Sequence, residues 1–132
     1  MPNPTPSQFI NLDLVLRSSS DLTPLAEYLG ERVFVLSSGA AEGEFHLVLE
    51  AGIVASDPET YIQYFLRLID ALPPEQRTLW AGCSSRIFDF GFEGGYNAPP
   101  LQMKLQPTML GIFAERGLTV EITFYAHNDD PI

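Results

Sequence analysis

Few side chains in this chain are equipped for chemistry: Cys83, His46, His127 and the carboxylates Asp89 and Glu93. Nucleophilic catalysis sets Ser, Thr or Cys beside a base that a third group orients. Cys83 stands between Gly82 and Ser84, shortly after Trp80, without the spacing of a nucleophile elbow, and only two histidines are present to act as base. The thiol therefore reads as a small structural hydrophobe. His46 alternates with apolar neighbours, which places it on a solvated or partner-facing strand surface, and His127 follows the last strand near the chain end. No catalytic residue is assigned.

The pair Asp89 and Glu93 invites comparison with glycosidase carboxylates. Four residues along one continuous strand separate them by about 13 Å, beyond the roughly 5 to 9.5 Å that either mechanism uses, unless Gly91 makes a sharp turn. Gly91, Gly94 and Gly95 do not form a phosphate cradle, because no Lys-Ser/Thr follows and no helix opens directly after them. A metal site needs three or four ligands at short fixed spacings; the sequence has no paired cysteines, no histidines one helical turn apart and no Asp-rich calcium loop. Neither metal nor cofactor is expected.

The elements that would position these groups show in the hydrophobic period. Ile10, Leu12, Leu14 and Leu16 alternate with Asn11, Asp13 and Arg17, the pattern of a half-buried strand with Val15 as an apolar exception on the outer face. Asp21 is placed to cap a short helix over Leu22, Leu25, Ala26 and Leu29, closed by Gly30. Val33–Ser37 and Phe45–Glu50 read as a hairpin joined by the small residues Gly39–Gly43. Asp57, Pro58 and Glu59 open a helix with Ile62, Phe65, Leu66, Ile69 and Leu72 on one stripe, widened by Tyr61 and Leu68 and stopped by Pro73-Pro74. A turn or short helix over Glu75–Trp80 precedes a strand, Arg86–Phe92, whose Phe88, Phe90 and Phe92 share one face. After the irregular loop Glu93–Leu105, Thr108 is placed to cap a helix closed by Gly117, and Leu118–Tyr125 alternates as a final strand. The hairpin breaks strict strand–helix alternation, which favours an α+β fold: a mixed or mainly antiparallel sheet of about five strands, with two to three helices mainly on one face.

Length indicates a single domain over residues 1–132, with the proline-punctuated lead 1–8 and the polar tail 128–132 frayed. One cysteine excludes an internal disulfide, and the absence of a long apolar run or charged leader points to the cytoplasm. The net charge of −10 is uneven: residues 1–60 hold nine Asp/Glu against two Arg. With only Arg17, Arg32, Arg67, Arg77, Arg86, Lys104 and Arg116, widely scattered, the chain lacks the basic clusters that nucleic acids or anionic membranes require. Acidity of this kind suits a basic protein partner.

Leu72-Pro73-Pro74, Trp80, Phe88-Asp89-Phe90-Gly91 and the closing run Leu118–Tyr125 together resemble small bacterial domains of unknown function, including ones similar to immunity proteins that accompany secreted toxins. The resemblance covers about half the chain in spaced, structural fragments and implies no catalytic residue. It implies a non-enzymatic binding protein covering a basic toxin or other basic partner, or a homodimeric interaction domain. The surface expected to bind comprises Glu42, Glu44 and Glu50, with Tyr96, Leu101 and Met103 on the long loop. The alternative is a small-ligand or enzymatic domain with a pocket near the aromatic strand, lined by Trp80 and Tyr96, with Asp89, His46 or Glu93 as its polar group.

Overall fold

Alternation of period two produces strands wherever the sequence carries it, and the register between them decides which side chains meet. The computed structural model describes residues 3–127; the expected polar tail lies outside them. The strands are β1 (Gln8–Ser18), β2 (Val33–Ala41), β3 (Glu44–Ala51), β4 (Cys83–Glu93) and β5 (Thr119–Tyr125). They form one sheet in the order β2-β3-β1-β4-β5. All neighbours are antiparallel except β4 and β5, which run parallel. Parallel neighbours need a crossover; residues 94–118 supply it. The fold is α+β with a mixed sheet, as the interrupted alternation predicts.

Four helices, one more than the upper expectation, are α1 (Thr23–Leu29), α2 (Pro58–Asp70), α3 (Pro74–Ala81) and α4 (Pro107–Glu115). The extra one arises because Pro74, besides stopping α2, sits in the first turn of α3, where its missing N–H has no partner to lose. Asp57 caps α2 as expected, its carboxylate accepting the Thr60 N–H at 2.9 Å. Asp21 accepts the Thr23 N–H from one residue before the true N-cap, Leu22. Thr108 is not a cap: α4 begins at Pro107 behind Gln106. Gly30 adopts φ 55°, a left-handed conformation that a β-carbon would strain.

The core lies on one face of the sheet. Leu12, Leu14 and Leu16 of β1, Leu47 and Leu49 of β3, and Phe88, Phe90 and Phe92 of β4 are all buried there against Ile62, Phe65 and Ile69 of α2, Trp80 of α3 and Phe113 of α4. Phe88 is the hub of this packing, with ring centroids 5.8 Å from Phe65, 6.3 Å from Phe90 and 5.2 Å from Phe113. Tilted and edge-on pairs at such distances add to the area term.

Two sequence expectations are corrected. Gly39, Ala40 and Ala41 belong to β2, and the hairpin turn is the tighter Glu42–Gly43, both at positive φ. Residues 5–8 are not loose. The Thr5 N–H donates to the Tyr96 carbonyl at 2.9 Å, the Gly95 N–H to Ser7 Oγ at 2.9 Å, and Gln8 already belongs to β1. Gly95 permits this, since a β-carbon there would collide with the Thr5 carbonyl.

Phe88→Ala and Phe65→Ala are each expected to destabilise the fold by about 3–5 kcal/mol in urea unfolding. Because the two rings touch, the double variant should lose less than the sum of the singles. A loss below ~1 kcal/mol for either would contradict this description of the core.

Candidate functional site

Among the described residues no helix covers the other face of the sheet, and alternation sends most polar residues of the central strands β1, β3 and β4 to it. Register lines them up. Glu50 of β3 pairs with Asp13 of β1, Asp13 pairs with Asp89 of β4, and Asp89 pairs with Glu121 of β5. Four carboxylates thus form one row across four neighbouring strands, at a spacing of about 4.8 Å per strand. Beside it, Val48, Val15 and Ile87 form a parallel apolar row, and beyond that His46 pairs with Arg17. Like charges directly opposite one another on a sheet are destabilising.

Neutral neighbours hold the carboxylates. Thr123 Oγ1 donates to Asp89 Oδ1 at 2.7 Å, and Asn11 Nδ2 donates to Asp13 Oδ1 at 3.5 Å. Among the described residues the ion pairs lie elsewhere: Arg17 with Glu44 at 3.5 Å, and Arg116 with Asp70 and Glu115. Burial at the centre of the row, reinforced by Glu50 and Asp89, pushes the Asp13 carboxyl up to about 6.

The arginines expected to be scattered are in part gathered. Arg77, Arg86 and Arg116 line one cleft of about 460 Å³ where the C-terminal ends of α2, α3 and α4 converge. Arg77 donates to the carbonyls of Asp70 and Leu72, Arg86 to those of Trp80 and Ala81, and Arg116 to that of Ile112. Cations at a helix C-terminus complement its partial negative charge. Arg116 also grips Asp70 through two bonds of 2.8 Å, which holds the Asp70 carboxyl below its ordinary range. Three of the seven cations are thereby occupied on the helix side, and Arg17, which does share the open face, pairs with Glu44 and not with the row.

The residues singled out in the sequence divide among several places. Glu50 stands in the row, Glu44 opens β3 and pairs with Arg17, and Glu42 occupies the hairpin turn. On the long loop, Tyr96 packs its ring 5.7 Å from that of His127. Met103 is half-buried against the core, and Leu101 is exposed beside a groove of about 180 Å³ shared with Phe92, Met103, Ile122 and Phe124. The pocket imagined around Trp80, Asp89 and Glu93 is not assembled. Trp80 is buried on the helix side under Arg86, whereas Asp89 and Glu93 point to the open side, where Glu93 meets Gln8 and pairs with Tyr125.

Cys83 is buried, donates to the Leu79 carbonyl and has its thiol pushed up by burial, so it stays protonated near neutral pH. His46 Nε2 lies 2.9 Å from Ser37 Oγ, a contact the sequence reading missed because a bulge in β2 shifts Ser37 opposite Val48. A serine beside a histidine is half of a nucleophilic arrangement, but the cross-strand neighbour of His46 is Arg17, not a carboxylate that would orient it as a base. Among the described residues no group of three or more His, Cys, Asp or Glu converges as a metal site. No helix there is long and apolar enough to cross a membrane. Comparison with models of known families, with curated proteins and with solved structures found no match.

The raised Asp13 carboxyl makes its ionisation oppose folding. The proton-linked stability is fully present below the ordinary aspartate range and is lost as pH rises through about 6. Asp13→Asn should therefore raise stability at pH 8 by about 1 kcal/mol, a figure reduced for the partial exposure of the group, with the gain vanishing at about pH 4. Urea unfolding of both proteins across that range checks it, and an Asn variant less stable than the parent at pH 8 would contradict it.

Proposed function

We propose that this chain is a cytoplasmic, non-enzymatic protein-binding domain that receives a basic partner on the open acidic face of its sheet. The observation that carries the reading is the in-register row Glu50, Asp13, Asp89 and Glu121 on a face that no helix among the described residues covers. Aligned like charges cost folding stability. Their arrangement serves a surface that draws in cations, and the adjacent Val48, Val15 and Ile87 row offers apolar contact once the charges have met. The most concrete form of this reading is an immunity-type protein that neutralises a basic toxin, the class its spaced fragments resemble. In that role electrostatic steering speeds capture, which matters most for an inhibitor that must outpace its target.

Glu42 and Glu44 stand at the hairpin end, about 20 Å along β3 from Glu50, with Glu44 paired to Arg17, and are a separate acidic contact in the proposal. Contact by Tyr96, Leu101 and Met103 is a separate part of the proposal, supported by the exposure of Leu101 and the groove it shares with Ile122 and Phe124.

Binding of a lysine- and arginine-rich peptide of about fifteen residues, followed by stopped-flow fluorescence, tests this reading. The association rate should fall at least about tenfold between 50 and 500 mM salt. The triple variant Asp13→Asn, Glu50→Gln, Asp89→Asn should slow association at low salt, whereas Glu27→Gln, Glu31→Gln, Glu75→Gln, with the same change in net charge, should not. Equal effects of the two triples would reduce the acidic row to a share of general net charge and overturn the reading.

A further inference from the structure

Among the described residues β2 ends the sheet, with no strand beside the backbone groups on its outer edge. Free edges are commonly guarded by charges, prolines or shortness. The opposite edge, β5, has seven residues and carries Glu121. β2 has nine residues and, alone among the five strands described, no charged side chain. It also exposes three consecutive large apolar residues: Phe34 is 59% exposed, Val35 48% and Leu36 50%. Its only guard is the bulge, which sets Val35 opposite Leu49 but Ser37 opposite Val48.

We propose that β2 is a self-association edge: two copies of this chain pair β2 with β2, antiparallel, about a twofold axis normal to the sheet. Val33, Phe34 and Val35 of one copy stand opposite Ala40, Gly39 and Ser38 of the other. Face matching selects this register. Val33 and Val35 pair with Ala51 and Leu49 on the helix side; after the bulge Ser38 and Ala40 pair with Leu47 and Phe45 on that same side. Phe34 and Gly39 pair with Glu50 and His46 on the open side. Each cross-copy pair therefore joins like face to like face, and a slip by one residue would break that match throughout. The bulge, which resets the alternation midway along the strand, is what lets its two halves match.

Size is complementary as well. The first half of β2 is Val-Phe-Val-Leu and the second is Ser-Ser-Gly-Ala-Ala, so the twofold lays the bulky half of each copy on the small half of the other. Phe34 falls beside Gly39, an arrangement in which an aromatic ring shields an edge glycine. On the helix side a cleft of about 240 Å³ opens beside the small half, lined by Leu22, Ala26, Ser38, Ala40, Phe45 and Leu47. The exposed Val35 of the second copy, opposite Ser38, enters it. The occupant is another copy because a chain of net charge −10 meets itself with least repulsion where the strand bears no charge, and an uncharged edge offers a basic partner nothing. The pairing leaves both acidic faces open and joins them into one ten-stranded surface. It stands or falls independently of what those faces bind.

Sedimentation velocity from about 1 to 300 µM should show a reversible dimer, with a dissociation constant on the order of 10 µM for so narrow an interface. Val35→Lys should weaken it at least about tenfold, while Ile122→Lys on the opposite edge leaves it unchanged. Should Val35→Lys fail to fold, the pair Val35→Cys, Ser38→Cys decides. Because of the bulge the two positions face Leu49 and Leu47 and stand two ladder steps apart, about 7 Å, beyond the usual Cα separation of a disulfide, whereas across the proposed pairing they are directly opposite, so mild oxidation should yield a disulfide-linked dimer. A parent protein monomeric at every concentration, a dimer indifferent to Val35→Lys but lost in Ile122→Lys, or a cysteine pair that stays unlinked overturns the proposal.

Discussion

Packing of Phe65, Ile62 and Ile69 of α2 against the leucines of β1 and the phenylalanines of β4 is the contact on which the rest of this molecule depends. It commits one face of the sheet to the core, and α3 and α4 join the same side through Trp80 and Phe113. A strand has two faces, so the commitment leaves the other to water. The central strands β1, β3 and β4 therefore carry buried apolar residues at one parity and half-exposed, mainly polar ones at the other. The open face is the geometric remainder of the core.

From that division follows the segregation of charge. Helices stacked on one side converge their C-terminal ends, and three arginines collect there because exposed carbonyls and partial negative charge attract them. The open side receives carboxylates whose row is neutralised by no ion pair among the described residues. Three of the seven cations are thus held at helix ends, while the row of four carboxylates stands on the opposite face of the sheet. The raised carboxyl at Asp13 records the cost of that presentation at the centre of the row.

Much of this was legible before the fold was known, for reasons that differ by element. The strand β4 announces itself because three phenylalanines at alternate positions fit no helix, and α2 because Asp57, Pro58 and the apolar stripe agree with one another. That Asp13 and Asp89 face outward follows from the same alternation. Their alignment with Glu50 and Glu121 does not, since register is fixed by long-range pairing and by bulges after Phe9, Arg17 and Val35 that no local pattern announces. The local pattern does not place the turn at Glu42–Gly43, because Gly39 to Ala41 carry small side chains that suit a turn as well as an edge strand. The tie between Thr5 and Tyr96 was illegible because its partners lie 91 residues apart. The clustering of Arg77, Arg86 and Arg116 was hidden by the same separation in sequence.

Whether positive partners land on the open face is decided by mapping backbone amide shifts of the 15N-labelled protein during titration with an arginine-rich peptide. Binding there gives the largest shifts at Asn11–Val15, Val48–Glu50, Ile87–Gly91 and Thr119–Thr123, with α2, α3 and α4 nearly silent. Shifts concentrated on the helices, or spread evenly over every exposed carboxylate including Glu27, Glu59 and Glu75, would contradict it.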